Sequence, residues 1–132
     1  MGRIFDLLKV GSERLYTIFD SGSRNSYVRR GAAASGRLLP LHRPFRTAIG
    51  GESHSAREIC VLEGSIRGKA VMVSAFVLRE IGEDEGGRPI DLLYGANAMQ
   101  DFGIRLDPDW QSQLAGREAI DLSHYHRGVI EL

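Results

Sequence analysis

The chain has 132 residues, with Lys plus Arg and Asp plus Glu at 17 each and a formal net charge of zero. That length supports one hydrophobic core, and the balanced charge argues against nucleic acid as the main partner, since phosphate binding shows as a basic excess. A single cysteine, Cys60, excludes an intrachain disulfide framework and fits a reducing compartment.

The N-terminus, MGRIFDLLKV, has no extended apolar segment before its first charges, so it does not read as a signal peptide. Met1-Gly2 is followed by Asp6 rather than Ser or Thr at the sixth position, which argues against myristoylation. The longest apolar run, Ala70–Leu78, is too short to span a bilayer. The expectation is a cytoplasmic protein with no membrane partner.

Arg3–Val10 reads as a strand, and Gly11-Ser12-Glu13-Arg14 turns it into a second strand, Leu15–Phe19, rich in β-branched and aromatic residues. Ser23–Ser26 is a polar turn, Tyr27-Val28 resumes extended structure, and Arg29–Ser35 suggests a short helix stopped by Gly36. Leu38–Leu41 and Pro44 mark irregular or edge-like chain, because proline cannot donate to a ladder. Phe45–Ile49, two glycines and His54–Leu62 form a hairpin pattern, and Ile59–Ile66 with Lys69–Leu78 forms another around Arg67-Gly68. Cys60 alternates with Ile59 and Val61, a sheet or core position. Ala70–Leu78 is almost continuously apolar, as a strand buried on both faces should be. Glu80–Arg88 reads as a solvated acidic loop whose carboxylate spacing fits no calcium loop. Ile90–Tyr94 is a strand, Ala96–Phe102 a helix of two turns, and Ile104–Leu106 a last strand. Beyond Pro108, Trp110 and Leu114 suggest a helical turn and Val129–Leu132 a terminal strand.

Chemistry concentrates where the Leu15–Phe19 strand ends. Asp20-Ser21-Gly22 supplies an acid–base group, a small hydroxyl and a residue that lets backbone approach closely. About 70 residues later, Ile90–Ile104 gives an apolar strand, Gly95, a short helix and another strand. The two stretches, in this order and at this separation, resemble the paired motifs of the retroviral-type, or retropepsin-like, aspartic proteases.

That resemblance implies a mostly β fold: a single-lobe acid-protease closed β-barrel with one short helix in its C-terminal half and a flap hairpin. It covers residues 1–107, leaving 108–132 as a C-terminal extension packed on the domain or the dimer interface. Asp20 takes the catalytic role, with Ser21, Gly22 and Ser23 in support. The Ser21 hydroxyl would donate across a dimer axis, and serine in place of threonine loosens that dimer by one methyl. Gly22 would offer its carbonyl to substrate. A Ser23 hydroxyl donating to the carboxylate would favour its charged form and shift the pH optimum toward acid. Ile49, Gly50 and Gly51 would form the flap tip, Leu93 and Tyr94 pocket or pocket-supporting positions, and Asp91 would lie near the subsites.

The chain has one Asp-Ser/Thr-Gly, and Asp84, Asp91, Asp101, Asp107 and Asp109 lack the following hydroxyl and glycine. A two-carboxylate site therefore demands a homodimer acting on a peptide or protein substrate, with no cofactor and no metal. One departure stands out. The acidic residue and arginine that pair in many retroviral members are replaced by Arg24 and Ala96. That points to a cellular or bacterial member, with Asp109–Leu132 stabilising the dimer instead.

Other chemistries fit less well. His124-x-His126 could share zinc with Cys60, but spacing places no third ligand. No Gly-x-Ser-x-Gly elbow or GxxxxGK[ST] loop is present. The rival reading is a catalytically silent dimer of the same fold that serves as a protein-interaction module.

Overall fold

The computed structural model describes residues 3–107 and 129–131. Alternation of apolar and polar residues sets the strands, and two cores on opposite faces of one sheet follow from it. Strands β1 (Ile4–Val10) and β2 (Glu13–Asp20) form the expected antiparallel hairpin, from Ile4 opposite Phe19 to Val10 opposite Glu13. Strand β3 (Ser26–Arg29) leads into a single 3-10 helix, Arg30–Ser35, where the sequence suggested a short helix from Arg29. Then come β4 (Arg37–Ile49), β5 (Glu52–Ile66), β6 (Lys69–Leu78) and β7 (Leu92–Gly95). Helix α1 (Ala96–Asp101) follows, then β8 (Arg105–Asp107), and β9 (Val129–Glu131) pairs antiparallel with β8 in a separate two-stranded sheet. The helical turn suggested around Trp110 and Leu114 lies outside the described residues.

The main sheet runs β1-β2-β7-β3-β6-β5-β4, and Lys9 of β1 pairs with Ser65 of β5 to close six strands into a barrel. Among the described residues the fold is thus mostly β, a closed six-stranded barrel with one short α-helix. Residues alternating inward fill it: Ile4, Leu8, Leu15, Phe19, Val28, Cys60, Leu62, Val73, Val77, Leu92 and Tyr94 among others. Cys60 is buried as its alternation implied, its thiol donating to the Ala33 carbonyl at 3.4 Å, and burial pushes its pKa up. The outward alternates, including Phe5, Ile18, Tyr27, Leu93 and Leu78, build a second core covered by the β4–β5 hairpin.

Three expectations need correction. Of the two readings of Leu38–Leu41 and Pro44, edge-like chain holds and irregular chain does not: β4 is an edge strand that runs through Pro40 and Pro44 as one extended segment, its register shifting between Pro40 and Phe45. Strand β6 is not buried on both faces throughout, since Met72 and Ser74 alternate outward into solvent beyond the cover of the hairpin. The Glu80–Arg88 loop is not simply solvated. Asp84 is buried, its Oδ1 accepting the Gly86 and Arg88 amides at 2.8 Å each and its Oδ2 accepting the Tyr16 hydroxyl at 2.9 Å. Arg88 then stacks its guanidinium 3.9 Å above the Tyr16 ring, which itself stacks on Phe5.

Candidate active site

Strand β2 ends at Asp20, and the chain turns at once. The Ser23 amide donates to the Asp20 carbonyl at 3.1 Å, and the Gly22 amide donates to Asp20 Oδ1 at 2.9 Å. One carboxylate oxygen is thereby aimed by its own turn. The same loop is locked to the far half of the chain. Asp20 stands beside Gly95 in the parallel β2–β7 ladder. The Ser26 hydroxyl accepts the Gly95 amide at 2.9 Å, and the carbonyls of Ser23 and Arg24 accept the amides of Ala96 at 2.7 Å and Asn97 at 3.1 Å. These amides belong to the first turn of α1, which has no side-chain N-cap, so loop carbonyls do the capping. Gly95 is required here, because a Cβ on it would lie 2.2 Å from the Asn25 carbonyl oxygen.

Alternation along β2 puts Asp20 on the same face as Ile18 and Tyr16, away from the barrel interior. On that face a row of side chains crosses five strands: Phe5 opposite Ile18, Ile18 beside Leu93, Leu93 opposite Tyr27, Tyr27 beside Phe76. This is an apolar floor running away from the carboxylate. Its roof is the β4–β5 hairpin, whose Phe45 stacks on Phe76 with ring centres 3.9 Å apart and whose Ile49 and Leu41 pack on the same cluster. The hairpin turns at Gly50 and Gly51 with φ of 58° and 85°, the left-handed pair that a two-residue hairpin turn needs. A hollow of about 570 Å³ runs along the hairpin, lined by Arg46, Thr47, Ala48, Ser53, His54 and Ser55.

The residues singled out from sequence fall into place unevenly. Asp20, Ser21, Gly22 and Ser23 form one turn, with Ser21 and Gly22 exposed. Ile49, Gly50 and Gly51 form the hairpin tip, and Ile49 packs back on the floor. Leu93 is part of the floor. Its neighbour Tyr94 points into the barrel, where its ring lies 5.3 Å from that of Phe19; burial, with the charge of Asp101, pushes its pKa up to about 12. The Ser23 hydroxyl does not reach the carboxylate. It donates instead to the Asn25 carbonyl at 2.8 Å, so its one proton is spent closing the loop. Asp91 is a brace: Oδ1 accepts Arg29 Nη2 at 2.5 Å, and Oδ2 accepts the Tyr16 amide at 2.8 Å.

Sequence reading missed Tyr27, Phe45, Phe76 and Thr47, whose side chains meet across strands distant in the chain. The one local signal was alternation, which puts Tyr27 and Phe76 on the face opposite the barrel core. Among the described residues no group of three or more His, Cys, Asp and Glu is placed to hold a metal, and His124 and His126 lie outside them. No helix among the described residues is long and apolar enough to cross a membrane.

No protein-family model and no curated protein sequence matches the chain. Solved structures do. The retroviral protease-like domain of Ddi1 from Leishmania major superposes with a TM-score of 0.52 at 20% identity, covering 80% of this chain and 81% of that one. A foamy viral protease–reverse transcriptase matches with a TM-score of 0.47 at 12% identity, over 89% of this chain and 20% of that one. A Legionella pneumophila protein of unknown function matches with a TM-score of 0.42 at 10% identity, over 75% of this chain and 85% of that one. The fold is that of a single-lobe retropepsin-like domain. Within it lies a turn-held carboxylate beside an apolar floor under a hairpin.

Proposed function

We propose that the chain is an aspartic endopeptidase that works as a homodimer. The observation carrying this reading is the setting of Asp20: its turn holds the side chain on the face shared by the apolar floor and the overlying hairpin. One carboxylate cannot both activate a water and polarise a scissile carbonyl, and the chain has a single Asp-Ser/Thr-Gly. A second copy, related by a two-fold axis, supplies the other Asp20. Two carboxyl groups held close resist ionising together, so the pair carries one proton between them. The ionised member takes a proton from the water as its oxygen attacks the peptide carbonyl carbon. The protonated member hydrogen-bonds the carbonyl oxygen as negative charge develops there. Collapse of the tetrahedral species breaks the C–N bond and returns a proton to the leaving amine. Substrate lies extended on the floor, pairing its backbone with the hairpin like an added strand. The Asp20-Ser21-Gly22 turn supplies the carboxylate, and the Ile49-Gly50-Gly51 tip closes over the bound segment.

The rival is a dimer of the same fold that binds proteins without cutting them. It is favoured by one observation, that the hairpin rests directly on the floor through Phe45 and Thr47. A single comparison decides between them. The wild-type dimer should cleave unfolded casein or a peptide library somewhere between about pH 3 and pH 8, and Asp20→Asn should dimerise but not cleave. A wild-type dimer inert across that range, or an active Asp20→Asn, refutes the protease reading.

A further inference from the structure

A pair of hydroxyls joins the roof to the floor. Tyr27, 4% exposed on β3, and Thr47 on β4 join their hydroxyls at 2.8 Å. On the floor side the pair is flanked by apolar groups: Phe45 on Phe76, Phe76 against Tyr27 with rings 6.0 Å apart, and Leu93 opposite Tyr27 in the ladder. Thr47 also lines the hollow along the hairpin, whose other walls include Ser53, His54 and Ser55. His54 is the cross-strand partner of Thr47. Two hydroxyls thus sit at the point where an apolar floor meets a polar recess.

Resting on the reading of this face as a peptide cleft, we infer that Tyr27 and Thr47 set substrate specificity, selecting a peptide side chain that carries an uncharged hydrogen-bonding group: Asn, Gln, Ser or Thr. A peptide lying between floor and roof must lift Thr47 away from Tyr27. Both hydroxyls then face whatever side chain enters between them, Tyr27 from a buried position and Thr47 from a half-buried one. An aliphatic side chain leaves both unpaired, and an unpaired buried hydroxyl is costly. An amide or hydroxyl side chain supplies both a donor and an acceptor and replaces the broken bond. A site built to hydrogen-bond discriminates strongly against an analogue that lacks the group. The apolar floor on either side receives the neighbouring side chains, so the requirement falls on one position of the peptide.

The test measures binding, so it does not need turnover. Asp20→Asn protein is immobilised and panned with a library of random synthetic peptides, and the bound fraction is sequenced. Asn, Gln, Ser and Thr together should be enriched about tenfold over Leu, Ile and Val at one position. Adding Tyr27→Phe or Thr47→Val should abolish or reverse that preference, while Thr47→Ser, which keeps the hydroxyl, should retain it. The two variants are read separately, so one that fails to fold leaves the other to decide. Peptides bound with an aliphatic preference, or with a polar preference unmoved by either variant, overturn this inference and leave the cleft reading standing. No peptide bound by any version overturns both.

Discussion

Replacing Asp6 with asparagine should stabilise the protein at neutral pH and do little in acid. Asp6 lies on β1 between Phe5 and Leu7, on the face that Ile4 and Leu8 present to the barrel interior, opposite the fully buried Thr17. It is 2% exposed; Oδ1 accepts the Leu7 amide at 2.7 Å, and Oδ2 has no hydrogen-bond partner among the described residues. Burial raises its pKa from 3.8 to about 6, with the Leu7 amide and the charge of Arg67 pulling the other way. The native state therefore keeps a proton that the unfolded chain has already released. Stability from this group is fully present below about pH 4 and is lost as pH rises through about 6. That rise corresponds to about 3 kcal/mol at most. Asparagine keeps the acceptor for the Leu7 amide and carries no charge to bury. Urea denaturation of both proteins at pH 4, 6 and 7.5, at one fixed protein concentration, isolates the effect, because all other titrations cancel in the difference. The gap should open in favour of asparagine between pH 4 and 7.5. A gap that stays flat, or a variant less stable at pH 7.5, would show that the ionised Asp6 is well compensated by Arg67 and that desolvation does not dominate.

Gly95→Ala forces a methyl to within 2.2 Å of the Asn25 carbonyl oxygen, so the two loops that hold Asp20 must separate. The expected cost is about 1–3 kcal/mol in denaturant, with loss of whatever cleavage Asp20 supports. Asp84→Ala removes the acceptor that the Gly86 and Arg88 amides and the Tyr16 hydroxyl share, and it should destabilise by about 1–3 kcal/mol while raising amide exchange across residues 83–90. Ser23→Ala should leave the pH profile of cleavage unmoved, because that hydroxyl donates to the Asn25 carbonyl and not to the carboxylate. An alkaline shift on that substitution would contradict the geometry.

Much of the architecture was legible in the chain because its signals are local. Alternation in Ile4–Val10 and Leu15–Phe19 with a glycine turn between them specifies a hairpin whatever surrounds it. Gly50-Gly51 between two extended runs does the same for the hairpin over the site. Asp-Ser-Gly at the end of an apolar strand, with a second apolar strand and glycine later, marked the loop and the partner against which it is locked. Proline marked β4 as edge-like, which it is, but left hidden that the strand runs unbroken from Arg37 to Ile49, because an edge strand need not make the ladder bond proline forbids.

The sequence by itself determined where the hairpins turn and which carboxylate stands at the end of a strand. The tertiary structure decided what each polar side chain does there. Asp91 braces Arg29 across 62 positions, Asp84 caps its own loop and reaches Tyr16 across 68, and Tyr27 finds Thr47 across 20. Strand formation follows from backbone geometry and a repeat of two residues, both written in neighbouring letters. A hydrogen bond needs two atoms within about 3 Å, and for side chains far apart in sequence only the closed barrel brings them that close.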